Sequence, residues 1–153
     1  MCLYEYTKKV LFSGDHILLD ISPNISLLTE TENPLESYLA SLDKLIPLEV
    51  KLVLPGHKHI FSDHKKRIRE LKQHHENRLD EILSILEKGE QNAYHIAAKM
   101  TWDIECNWDQ LPLIHKFASL GETLAHLKYL EVNDRVLRKE RRSKVAFSLR
   151  DIH

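Results

Sequence analysis

Short continuous apolar runs and long apolar stripes of helical period alternate along the chain, and that alternation outlines the fold. Residues 2–6 and 9–12 flank Thr7-Lys8 and predict a hairpin, although Thr-Lys is not a preferred two-residue turn. Val10-Leu11-Phe12 stops at Ser13-Gly14, and Leu52-Val53-Leu54 stops at Pro55-Gly56. Such runs with β-branched residues read as buried strands. Residues 16–20 continue as a short strand or extended segment, and residues 21–32, with Pro23 and Asn24, form a loop that either shapes the edge of the sheet or simply connects. Asn33 and Pro34 open a helix as N-cap and first residue. Leu35, Leu39, Leu42, Leu45 and Ile46 give it one buried face until Pro47 ends it. Strand, helix and strand make a parallel crossover unit, the building block of an α/β layer.

A longer helix starts at Ser62 or Asp63 and runs to about residue 88, with Gly89 just past its end. Ile68, Leu71, Leu79, Ile82, Leu83 and Leu86 form its stripe, and Lys65, Lys66, Arg67, Arg69, Lys72 and Arg78 crowd its first half. His64, His74 and His75 lie on this helix as surface or packing residues, because adjacent histidines point in different directions. Beyond Gly89 the pattern predicts a short helix over 92–100, a loop over 101–109, and a helix over 113–131 with Phe117, Leu120, Leu124, Leu127 and Leu130 inward. Two strands follow, over 135–138 and 144–149, around a charged turn. Helices closed by a β-hairpin suggest a small winged-helix-like α+β domain. The expected division is therefore 1–88, with the long helix as a bridge, and 89–153.

Composition narrows the class. A chain of 153 residues with 42% apolar and 29% charged content is that of a soluble globular protein. The formal net charge of −1 provides no overall attraction to nucleic acid or an anionic membrane, so electrostatic arguments must be local. Cys2 and Cys106 are far apart and form no C-x-x-C pair, which favours reduced thiols and a cytoplasmic location. No apolar run approaches the roughly 20 residues that span a bilayer.

The candidate chemistry sits at the two strand ends. Asp15 follows Gly14 and His57 follows Gly56, so both strands would deliver a metal-capable side chain to one edge of the sheet. A catalytic zinc takes about three protein ligands plus an open position, and these are two. An Asp in this position is equally at home as a turn residue.

The order Ser13-Gly14-Asp15-His16-Ile17-Leu18, Asp20-Ile21-Ser22-Pro23-Asn24, Asn33-Pro34-Leu35 and Leu54-Pro55-Gly56-His57 resembles the second half of the metallo-β-lactamase fold. It is most similar to the hydrolases of that superfamily with a winged-helix-like C-terminal domain, the glyoxalase-II-like and β-lactamase-like-protein-2-like group. The resemblance extends from about Leu3 to Phe147. It implies that Asp15 is the metal-bridging aspartate and His57 the last metal-binding histidine of a site for two zinc ions or another divalent pair. His16 would be a proton donor on the substrate side or a supporting group. The family's His-x-His-x-Asp-His motif is not in this chain; the nearest cluster is Gly56-His57-Lys58-His59. A further histidine ligand would fall just before Met1, so the chain is expected to be the C-terminal part of a longer enzyme and inactive alone.

The resemblance thus implies a metal-dependent hydrolase of ester-like bonds, thioester, lactone or phosphodiester, with a small-molecule or RNA substrate. The alternative is a winged-helix module that binds nucleic acid or protein, with phosphate contacts through Arg135, Arg138, Arg141, Arg142 and Lys144. Half of a sandwich would also leave an apolar sheet face open, which favours self-association.

Overall fold

The computed structural model describes residues 1–103, 106–141 and 144–150. Its elements are β1 (Leu3–Glu5), β2 (Val10–Gly14), α1 (Pro34–Asp43), β3 (Leu52–Pro55), α2 (His64–Leu86), α3 (Ala93–Lys99), a 3-10 turn at Trp108–Gln110, α4 (Leu113–Val132), β4 (Val136–Arg141) and β5 (Lys144–Leu149). The chain divides into two compact units. One comprises Met1–Pro23 and Tyr38–His75, the other Asn24–Ser37 and the chain from Glu76 onward. The division falls inside α2, ahead of the Gly89 boundary expected from composition, and residues 24–37 group with the second unit. The architecture is α/β. Among the described residues no helix is long and apolar enough to cross a membrane.

In the first unit the sheet runs in the order β1-β2-β3. β1 pairs antiparallel with β2, Leu3 opposite Phe12, and β2 pairs parallel with β3, Val10 opposite Leu52. The β1–β2 turn is wider than Thr7-Lys8. Lys9 takes a left-handed φ of 57°, and the Glu5 carboxylate accepts from the amides of Thr7 and Lys8 at 3.0 and 2.5 Å. Alternation along β2 and β3 buries Leu11, Ser13 and Val53 on one face and leaves Leu3 and Phe12 exposed on the other. The run Val10-Leu11-Phe12 is thus buried on one face only, not on both.

Residues 16–20 form a turn and bends rather than a strand. The reason lies in Ser13, whose buried hydroxyl donates to the Ile17 carbonyl at 2.8 Å while its own carbonyl accepts from the His16 amide at 3.0 Å. These bonds turn the chain back at once. Asn33 caps α1 reciprocally: its side-chain oxygen accepts from the Glu36 amide at 3.4 Å and its amide donates to the Glu36 carboxylate at 2.8 Å. α1 ends at Asp43, and Ile46 is exposed instead of buried, because the helix stops before the stripe reaches it. Asp63 caps α2 through the Lys66 amide at 2.8 Å, and Gly89, with φ of 118°, closes the far end by donating to the Leu86 carbonyl at 3.0 Å.

The second unit is built on a core of Ile82, Ile85, Leu86, Ile96, Met100, Leu127, Leu130, Val136 and Phe147. Asn92 caps α3 by accepting from the His95 amide at 2.8 Å. β4 and β5 form a two-stranded antiparallel ladder from Val136 opposite Leu149 to Arg141 opposite Lys144. Phe117 is 70% exposed, contrary to its expected inward position. The face of α4 that is buried runs through Ser119, Glu122, Thr123, His126, Leu127 and Leu130, a stripe at helical spacing whose first half is polar.

Candidate metal centre

Local chain geometry brings the ends of β2 and β3 together. Gly14 has a left-handed φ of 53°, which only a residue without Cβ adopts readily, and the ladder shifts register there so that Gly14 stands opposite Pro55. The Gly14 carbonyl then accepts from the Gly56 amide at 2.9 Å. This clasp sets the two following residues, Asp15 and His57, beside each other. Asp15 Oδ1 lies 3.4 Å from His57 Nε2, and their side chains are 67% and 70% exposed.

Gly56 leaves room for this approach. A Cβ at position 56 would stand 2.9 Å from Asp15 Oδ1 and 3.3 Å from the Gly14 carbonyl carbon, so the exposed carboxylate would have to swing aside and the backbone to give slightly. The Pro-Gly pair therefore clears the space that the carboxylate occupies. Lys58, next in the chain, takes a left-handed φ of 68°.

The structure gives His16 different surroundings. Its ring is half-buried, with Nε2 3.0 Å from the Ser41 hydroxyl on α1 and the ring edge-to-face with Tyr38 at 5.1 Å between centroids. The Tyr38 hydroxyl donates to the His16 carbonyl at 3.1 Å. Burial disfavours the charged imidazolium, as does the positive amino terminus, so the His16 pKa is lowered from the usual 6.5. Burial likewise pushes the Tyr38 phenol well up. His16 is thus a ring fastened to α1 through Ser41 and Tyr38. Ser41 and Tyr38, which hold it, carry no signal in the sequence that ties them to position 16.

Other polar groups flagged by composition serve the packing. Arg67 donates from Nε to the Leu18 carbonyl at 2.6 Å and from Nη2 to the Ile21 carbonyl at 2.9 Å, fixing the chain that follows the Asp15 turn. His64 is buried with Nε2 3.2 Å from the Leu45 carbonyl, and His75 is fully buried with its ring against Tyr38 at 5.4 Å. Among the described residues no cluster of three or more His, Cys, Asp or Glu side chains is arranged to hold a metal ion. Asp15 and His57 set one hard oxygen and one imidazole nitrogen, both exposed, at one strand edge.

Residues 1–57 match the sequence model of the metallo-beta-lactamase superfamily. Over 97% of its length the chain is similar in structure to a beta-lactamase domain protein from Burkholderia ambifaria, with 31% identity and a TM-score of 0.84. A metallo-beta-lactamase family protein from Thermus thermophilus is similar over the same share, with 31% identity and a TM-score of 0.78. The chain spans 43% and 44% of the length of those two proteins, less than half of either.

Proposed function

We propose that this chain forms part of a metal-dependent hydrolase of the metallo-beta-lactamase superfamily, acting on an ester-like bond, and that Asp15 and His57 are two of its metal ligands. The observation that carries the reading is the 3.4 Å approach of Asp15 Oδ1 and His57 Nε2 at the joined ends of β2 and β3. The superfamily match over residues 1–57, which takes in both residues, supports it. Zinc fits these donors, and a site for two ions would place Asp15 between them and His57 on one of them. When bound, the metal supplies an acidified water at neutral pH and a Lewis acid for the ester-like oxygen. The chain's own residues hold and orient: the Gly14–Gly56 clasp sets the pair, Gly56 keeps the carboxylate clear, and His16 anchors the Asp15 turn to α1.

Two donors fall short of the three that a catalytic zinc requires. The remaining ligands in this proposal come from outside the 153 residues. Zinc titrated into the chain followed by calorimetry is therefore expected to bind weakly, with no turnover of a thioester or phosphodiester. Tight stoichiometric zinc binding by the 153 residues would overturn the shared-site reading. Where the ligand set is complete, Gly56→Ala is expected to drive the Asp15 carboxylate from its place and weaken metal binding about 10- to 100-fold, the range of changes that disturb the support of a ligand. Competition against a chromogenic chelator measures it.

The second unit, helices closed by the β4–β5 ladder, is in this proposal the winged-helix-like appendage of such hydrolases. A nucleic-acid role for its hairpin has less support. Arg138 is paired with Glu30 at 2.9 Å and Lys139 with Glu90 at 3.1 Å. Arg142 lies outside the described residues, as does the side chain of Arg141. Arg135 and Lys144 remain as exposed cations of the set.

A further inference from the structure

The second unit contains a half-open cavity of about 340 Å³ between residues 27–30, α4 and the β4–β5 ladder. Half of its lining is apolar, from Leu27, Leu28, Leu124, Val145 and Phe147, and the other half polar or charged. The wall formed by residues 27–30 is held in place by backbone as well as side chains. The Leu27 amide donates to the Gly121 carbonyl at 3.1 Å, and Asn24 Nδ2 donates to the Ala118 carbonyl at 3.3 Å. Gly121 permits this seat, since a Cβ there would come within 2.7 Å of the Ser26 hydroxyl.

Four charged groups line the cavity as two pairs, and the pairs differ in kind. Lys128 and Glu131 are neighbours on α4, 3.4 Å apart, one turn from each other, and each shields the other. Arg138 on β4 meets Glu30 at 2.9 Å, and the two ends of this pair are unequally exposed: the Glu30 side chain is 80% exposed, that of Arg138 32%. An exposed carboxylate of this sort is weakly bound and easily exchanged, whereas the guanidinium offers a fork of donors suited to a carboxylate. Leu28 lines the same cavity yet is 80% exposed, a large apolar side chain at the entrance with little covering it.

We propose that this cavity binds a carboxylate carrying an aliphatic chain, its head on Arg138 in place of Glu30 and its chain on Leu124 and Phe147 beneath Leu28. A cavity of about 340 Å³ accommodates a chain of moderate length, such as that of octanoate. The Arg138 guanidinium selects an anionic head, and the apolar surface selects an alkyl body over a sugar or a base. This inference is independent of the metal ligands, because the cavity is lined wholly by residues of the second unit.

Calorimetric titration of the 153-residue protein with octanoate, octanol and octylamine tests it. Saturable one-to-one binding of octanoate is expected, at least about tenfold tighter than either uncharged or cationic analogue, the scale of a hydrogen bond to a charged group. Arg138→Gln should lose about tenfold in octanoate affinity, while Glu30→Gln should gain about threefold by removing the competing carboxylate. The opposite signs separate binding from folding, since loss of structure would weaken both variants. Absence of octanoate binding, equal binding of octanol or octylamine, or an unchanged Arg138→Gln variant would overturn the proposal.

Discussion

Asp15→Asn is expected to lower hydrolysis by more than about 100-fold where the metal site is complete, beyond the range that outer groups command. The substitution keeps the size of the side chain but removes the charge by which, in the proposed site, one carboxylate would serve two cations. Because the Asp15 side chain is 67% exposed, folding stability should shift by no more than about 0.5 kcal/mol, as at ordinary surface positions. His57→Ala should follow the same pattern, with metal lost and stability kept, since its side chain is 70% exposed. Three measurements on each variant, kcat/KM, bound metal by mass analysis and a thermal melt, are enough. Full metal content with wild-type turnover in Asp15→Asn would remove Asp15 from the site.

A substitution in the second unit is expected to act in the reverse way, on stability and not on the metal. Arg78 is buried and serves several partners at once. It donates to the Thr101 carbonyl, its guanidinium stacks over the Trp102 ring at 4.3 Å, and it lies 3.6 Å from Glu81 and 3.9 Å from Glu122. Glu122 is itself buried, and burial raises its pKa above the usual 4.5 while Arg78 pulls it back. Arg78→Ala removes the guanidinium and leaves that carboxylate in the interior, at a cost of about 3 kcal/mol, the lower end of the range for breaking a buried ion pair.

The pH dependence has a definite sign. A carboxyl with a raised pKa in the folded state stabilises fully below its unfolded value of 4.5, and that stabilisation is lost as pH rises through the folded value. Without Arg78 the folded pKa of Glu122 rises further, so more is lost by neutral pH. The penalty of Arg78→Ala should therefore be larger at neutral pH than near 4.5. Urea unfolding at the two pH values measures it, and an equal penalty at both would exclude Glu122 as the group concerned.

The buried faces of the two long helices show where a hydrophobic pattern is an incomplete guide. In α2 the stripe Ile68, Leu71, Ile82 and Leu86 is legible, yet it has a gap nearly three turns long. His75 and Arg78 fill that gap at heptad-like spacing, with His64 ahead of them. In α4 the aliphatic periodicity favours Phe117, Leu120 and Leu124, while the buried stripe begins with Ser119, Glu122 and Thr123. Polar residues occupy interior positions here because specific partners await them. The Ser119 carbonyl accepts from the Thr123 hydroxyl at 2.8 Å, the Glu122 carbonyl lies 2.8 Å from His126 Nδ1, and Arg78 faces Glu122. A burial pattern inferred from hydropathy has no access to such partners, whether one turn away on the same helix or, as with Arg78, on another.

The amino-acid sequence by itself determined the order of strands and helices, the caps at Asn33 and Gly89, a cap at Ser62 or Asp63, and the two strand ends that carry Asp15 and His57. Those features depend on neighbours within a few residues: apolar runs, a side-chain oxygen within reach of an amide, a glycine where φ must be positive. Tertiary structure alone decided that Asp15 and His57 stand 3.4 Å apart, because the parallel register of β2 and β3 joins residues that are distant in the chain. It also decided that Gly56 leaves the Asp15 carboxylate its space, that His16 is tied to Ser41, and that residues 27–30 wall a cavity with α4 and the β4–β5 ladder. Each is a contact between segments whose meeting depends on packing of the whole unit, which no local pattern encodes.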